Sequence, residues 1–199
     1  MRRLLALLVC LATPAFATVD AWPALHDVVG VDEGDVLNIR SGPGSGYEIV
    51  GTLPHDAEGI EVIRPSDTYT WGLVRSGEGM GWASLTYLVP QGGQWDGKFP
   101  EFATCAGTEP FWSLARADGA LTLDLIDADP VTARIDFETG TLNHRGRHSF
   151  RAGDMVGVLS NQMCTDGMSD LEYGWELNLI LLEQNLHLQG CCTLQPPAR

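Results

Sequence analysis

An all-β chain in two units is what this sequence predicts, a small barrel followed by a second, disulfide-stapled β-barrel or sandwich. Three observations carry that expectation. Short runs of alternating apolar and polar residues recur at close spacing with glycine at most corners, the pattern of half-buried strands joined by tight turns. No amphipathic helix of useful length interrupts them. All four cysteines outside the leader fall after residue 100, which confines covalent staples to the second half.

The chain opens on an address rather than on structure. Arg2 and Arg3 form a positive n-region, Leu4 to Ala12 an apolar stretch, and Ala15-Phe16-Ala17 a small-x-small cleavage site, so residues 1–17 read as a signal peptide cut after Ala17. Cys10 does not make a lipobox, because Leu7-Leu8-Val9-Cys10 puts Val where a small residue belongs. No apolar run is long enough to span a bilayer. The expected location is therefore the periplasm or the outside, with no stable membrane anchor. Losing two arginines and no acid moves the formal charge from −14 to −16. Such a surface repels phosphate backbones and anionic lipid, which disfavours nucleic acid as a partner.

Residues 18–27 read as an N-terminal linker, and the first strand expected is Val36–Arg40. Leu37 and Ile39 alternate there with Asn38 and Arg40, and Ser41-Gly42-Pro43-Gly44 then breaks the strand. Ile49–Leu53, Ile60–Ile63, Trp71–Arg75 and Gly81–Ala83 complete the first set. Residues 91–98, rich in turn formers, read as a second linker. Beyond it come Ala120–Ile126, Val131–Phe137, Met155–Ser160, Trp175–Leu182 and Leu186–Cys192, the last two joined by a turn at Glu183-Gln184-Asn185. Residues 99–195 form this second unit, and 196–199 a tail.

Four cysteines allow three pairings. Joining Cys191 to Cys192 is disfavoured, because neighbours in a strand point to opposite faces. Cys105 and Cys164 are thus each expected to pair with one of the two, and each bridge could stabilise by about 3–4 kcal/mol. In a regular last strand Cys192 shares the core side with Leu186 and Leu188, while Cys191 takes the polar side.

The motifs of the first half resemble the bacterial SH3-like (SH3b) domain over residues 28–90. Leu37-Asn38-Ile39-Arg40-Ser41-Gly42-Pro43-Gly44, Tyr47-Glu48-Ile49-Val50-Gly51, Trp71-Gly72-Leu73-Val74, Gly79-Met80-Gly81-Trp82-Ala83 and Leu85-Thr86-Tyr87-Leu88 follow in the family's order. His55-Asp56 departs from it, at a corner where the family often has a Lys-Gly turn. The resemblance implies a partly open barrel that binds cell-wall peptides, other proteins or glycans and has no catalysis of its own. The second half resembles a little-characterised domain of Gram-negative envelope proteins. It does so through Cys105-Ala106-Gly107-Thr108-Glu109-Pro110-Phe111-Trp112-Ser113-Leu114, Cys164-Thr165-Asp166-Gly167-Met168-Ser169-Asp170 and Gly190-Cys191-Cys192. That likeness implies a compact disulfide-bonded β-domain and no assigned activity.

Contact chemistry dominates what is on offer. Asn38, Arg40, Tyr47, Trp71, Trp82 and Tyr87 are the candidate ligand-binding residues: a charge, an amide and aromatic platforms of the kind that hold sugars and peptides. For Trp71 the favoured placement is in the core, in phase with Leu73, rather than on an exposed platform. Ser45 and Ser169 lack the elbow and base of a serine hydrolase, and Glu109, Asp166 and Asp170 are the carboxylates that a wall hydrolase could use. Glu109 itself reads better as a buried partner or cap beside Pro110. His144-x-x-x-His148, Met163-Cys164 with Met168, and the acidic clusters Asp32-Glu33-Gly34-Asp35 and Asp124-x-x-Asp127-x-Asp129 are weak metal candidates, better read as loops and solvated faces. The expectation is a non-catalytic, cofactor-free binder or adaptor of the cell envelope that contacts peptidoglycan or an envelope protein, with inhibition of a wall-degrading enzyme as one role. A cell-wall hydrolase and a metal or redox stress protein are the alternatives.

Overall fold

A computed structural model of the chain describes residues 22–94 and 98–194. The leader with Cys10 and its cleavage site, part of the second linker and the tail lie outside the described residues. The architecture is all-β, in two antiparallel sheets with no α-helix among the described residues.

The first sheet holds β1 (Ala24–Val28), β2 (Val36–Arg40), β3 (Ile49–Pro54), β4 (Ile60–Pro65), β5 (Trp71–Ser76), β6 (Gly79–Ser84) and, after the 3-10 turn Leu85–Tyr87, β7 (Leu88–Pro90). Its order is β3-β2-β6-β5-β4-β1-β7. Residues 24–27, read from sequence as linker, are strand: β1 pairs with β4 on one side and β7 on the other. Alternation was masked there because the inward position between Ala24 and Val28 is His26, a buried polar residue.

Leu37 and Ile39 of β2 point inward, as their alternation requires, and join Val62, Val74, Ala83 and Leu88 in the first core. Trp71 does not. A Cβ on Gly72 would meet Val62 and Leu85, and one on Gly81 would meet Ile39, so the two glycines occupy the core side. Trp71, Leu73 and Trp82 therefore face the other way. The expectation of Trp71 in the core failed because Trp71-Gly72-Leu73-Val74 is apolar on both faces, and a small interior takes the small residues.

The second sheet holds nine strands: β8 (Thr104–Thr108), β9 (Phe111–Ala117), β10 (Ala120–Leu125), β11 (Val131–Arg134), β12 (Phe137–Gly140), β13 (Arg147–Ala152), β14 (Met155–Cys164), β15 (Tyr173–Leu181) and β16 (Leu186–Thr193). Their order is β11-β10-β9-β8-β16-β15-β14-β13-β12. The run 131–137, expected as one strand, splits into β11 and β12 around Ile135 and Asp136. The amide of Ile135 donates to Gly119 of the β9–β10 turn, while that of Asp136 donates to Arg151 of β13. Consecutive residues thus turn to opposite edges of the sheet and curl it around one core of Phe102, Leu114, Phe150, Trp175, Leu177 and Leu179.

Two disulfides staple this unit, Cys105–Cys192 and Cys164–Cys191. Cys192 faces the core with Cys105, and both are fully buried; Cys191 lies on the opposite side of β16 with Cys164.

Candidate functional site

The outward face of the first sheet is built from side chains that alternate with its core. Asn38 and Arg40 leave β2 on that face, and strand register sets Arg40 opposite Trp82, Trp82 opposite Leu73, and Trp71 opposite Ser84. Where this face meets the loop after β1, a groove of about 450 Å³ opens. Asn38, Arg40, Trp71 and Tyr87 line it together, with Asp32 and Asp35 among the loop residues on its rim. Tyr87 belongs to the 3-10 turn and stays 39% exposed, its carbonyl accepting from Val29 N–H at 2.9 Å. Gly30, at φ +70°, carries the chain beneath the Tyr87 ring in a conformation that other residues rarely adopt.

Two of the six predicted residues stand elsewhere. Tyr47 is 52% exposed, yet its ring folds back over its own loop: a Cβ on Gly42 would sit 2.4 Å from ring atoms, and one on Gly44 3.3 Å away. The glycines of Ser41-Gly42-Pro43-Gly44 thus serve close approach, since neither has positive φ. Arg40 fixes the same loop by donating from Nη1 to the Tyr47 carbonyl at 2.7 Å, so it is both groove wall and turn staple. Trp82, half-buried beside Arg40, is covered by the Arg64 guanidinium, 5.1 Å from its ring centroid. Arg64 in turn makes two bonds to Glu172 of the second unit, at 3.1 and 3.3 Å. Ser84, Asp32 and Asp35 were not foreseen in the groove, because only the pairing of β2 with β6 brings β6 beside the loop after β1.

The groove offers two aromatic faces, an amide, a guanidinium, hydroxyls and carboxylates around an open cleft. That set suits a polar ligand with stacking or apolar faces, such as a sugar or a peptide backbone.

The carboxylates singled out in the second unit are spread apart in role. Glu109 is exposed in the turn between β8 and β9, not buried. Asp166 accepts from the amides of Met168 and Ser169 at 2.9 and 2.8 Å and from Ser169 Oγ at 2.7 Å. Those donors hold its carboxyl below the usual aspartate range, Ser169 N–H first, which stabilises the anion and makes it a poor proton donor. Asp170 is exposed. His148 is buried and bonded through Nε2 to the Arg145 carbonyl at 3.1 Å, while His144 is exposed. Among the described residues no three His, Cys, Asp or Glu side chains gather as a metal site. Cys164 is in a disulfide and offers no thiolate beside Met163.

No protein-family model matches this chain, and neither does a curated protein or a solved structure.

Proposed function

We propose that this chain is an exported binding protein of the cell envelope whose first β-unit contacts peptidoglycan or an envelope protein through the groove of Asn38, Arg40, Trp71 and Tyr87. The observation that carries the reading is the convergence of those four side chains on one open cleft of about 450 Å³. Two disulfides support an oxidising compartment, and no helix among the described residues is long and apolar enough to cross a membrane. The groove sets a stacking ring beside hydrogen-bonding groups, the arrangement by which short polymers are held without chemistry. A wall-hydrolase role for the second unit has less support, because three donors of its own loop hold Asp166 as an anion, a poor proton donor.

Co-sedimentation of the full chain with purified peptidoglycan sacculi tests this. The chain is expected to pellet with sacculi, and Trp71→Ala to weaken retention by about tenfold or more, the loss typical of a central aromatic anchor. Retention unchanged in Trp71→Ala and Tyr87→Ala overturns the groove. Loss of sacculus turbidity that disappears in Asp166→Asn overturns the non-catalytic reading.

A further inference from the structure

A second cavity, of about 530 Å³, lies on the outward face of the second sheet. Register builds its floor. Asp124 pairs with Ser113, Ser113 with Ala106, and Ala106 with Cys191, so one row crosses β10, β9, β8 and β16. The strand neighbours of that row, Trp112, Cys105 and Cys192, point into the core, so the row itself faces out. Its members between the two ends are small, which leaves a trough rather than a ridge.

The trough is polarised. Asp124 stands exposed at one end. At the other, Arg75 of the first sheet reaches over, its Nη2 3.4 Å from the Tyr173 hydroxyl and its Cζ 5.8 Å from the Tyr173 ring centroid. Asp166 of the same cavity and Glu61 lie near enough to act on Tyr173, but no carboxylate of the described residues forms an ion pair with Arg75. Phe111 and Ile126, 52% and 58% exposed, supply an apolar wall. From β10 to β16 is three strand spacings, about 14 Å, the length of about four extended residues.

We propose that this trough binds a short extended peptide with free ends, its ammonium at Asp124, its carboxylate at Arg75 and an apolar side chain against Phe111 and Ile126. Charge complementarity argues for that occupant. A uniformly anionic polymer meets Asp124 and Asp166 within the same cavity, and a purely apolar ligand leaves the hydroxyl-bearing floor and both end charges unmatched. The site shares no residue with the groove on the first sheet, so either assignment stands or falls without the other.

Calorimetric titration of the full chain with the tetrapeptide Ala-Leu-Ala-Ala provides the test, alongside its N-acetyl and C-amide forms. The free peptide is expected to bind, and each cap to weaken it about three- to fivefold, the worth of one ion pair at a solvent-exposed end. Arg75→Gln is expected to erase the difference between acid and amide, with Arg75→Lys restoring part of it. Asp124→Asn is expected to erase the difference between free and acetylated ends. Binding weaker than about 1 mM by the free peptide overturns the proposal. So does equal binding of the capped forms, or variants that still discriminate between the ends. Sacculus retention in the same Arg75 and Asp124 variants separates this site from the groove, which predicts it unchanged.

Discussion

Trp112 shows how single residues in this chain answer to their neighbours. It lies against Gly107 and Gly190: a Cβ on Gly107 would sit 2.2 Å from its Nε1, and one on Gly190 2.7 Å from its ring and 2.1 Å from the Ala106 carbonyl oxygen. A backbone carbonyl cannot swing aside as a side chain can, so Gly190→Ala is expected to cost about 2–3 kcal/mol. Denaturant unfolding of the variant measures this; an unchanged midpoint would mean that the sheet opens freely at β16. Two histidines set the acid response. His26 is 2% exposed, stacked on Trp22 and bonded through Nδ1 to the Ala24 carbonyl at 2.9 Å; His148 is 3% exposed, with Phe99 and Trp175 at its edges. Burial lowers both imidazoles below their usual value of 6.5. The unfolded chain therefore takes up these protons first, and stability declines as pH falls from 7 through 6.5 toward the lowered folded values. Asp166 acts later: its depressed carboxyl stabilises the fold above its ordinary 3.8 and loses that contribution as pH drops toward the folded value. Guanidinium midpoints at pH 7 and 5.5 are expected to differ, and His148→Phe, which fits the aromatic surroundings, to reduce the difference. An identical pH slope in that variant would exclude His148 as a source.

Among the elements, the two disulfides divide the labour of holding β16. Cys105–Cys192 spans 87 residues and joins directly paired positions of β8 and β16 inside the core; Cys164–Cys191 spans 27 and ties the end of β14 to the outer face. Loop closure alone gives about 4.6 kcal/mol for the longer and about 3.6 kcal/mol for the shorter. Replacing Cys105 and Cys192 together by Ala is thus expected to lower stability by about 1 kcal/mol more than replacing Cys164 and Cys191, and cavity formation in the core widens the gap. Equal losses in thermal unfolding would show that the shorter bridge carries strain-free packing of its own. The phase of Cys191 and Cys192 was readable because Leu186 and Leu188 alternate cleanly ahead of them. β2 was readable for the same reason, with a turn signal at its end. β8 and β9 were not, because Thr104-Cys105-Ala106-Gly107-Thr108 is made of small residues that carry little periodicity, and a two-residue turn at Glu109-Pro110 hides the hairpin. The groove was legible by residue type in Asn38, Arg40, Trp71 and Tyr87. Trp82 and Tyr47 drop out of it through Arg64 and Gly42, contacts that depend on where other strands and loops are brought.

At the scale of the whole molecule, the two sheets meet along β1, β4 and β15, and the contacts there differ greatly in worth. Arg64 and Glu172 make a bidentate pair, but their side chains remain 43% and 37% exposed, so water screens the attraction to about 1 kcal/mol or less. The segment ahead of β1 is more deeply engaged. Asn161 donates through Nδ2 to the Trp22 carbonyl at 2.8 Å and to the Gly174 carbonyl at 3.0 Å, bridging the two units with one amide. Pro23 lies over Gly174, where a Cβ would come within 2.4 Å of the proline ring. Trp22 packs against the first core and Leu25 against the second, so a few residues serve both. Removing a shared amide leaves two carbonyls without that donor at about 1–3 kcal/mol, and truncating Leu25 subtracts apolar burial from the same seam. The native chain is therefore expected to unfold in one calorimetric transition, with equal calorimetric and van't Hoff enthalpies. Arg64→Ala should keep that single transition, whereas Leu25→Ala with Asn161→Ala should split it into two, the disulfide-bonded unit melting last. A double variant that still melts in one step, beside an Arg64→Ala that melts in two, would move the coupling from the β1 seam to the exposed ion pair.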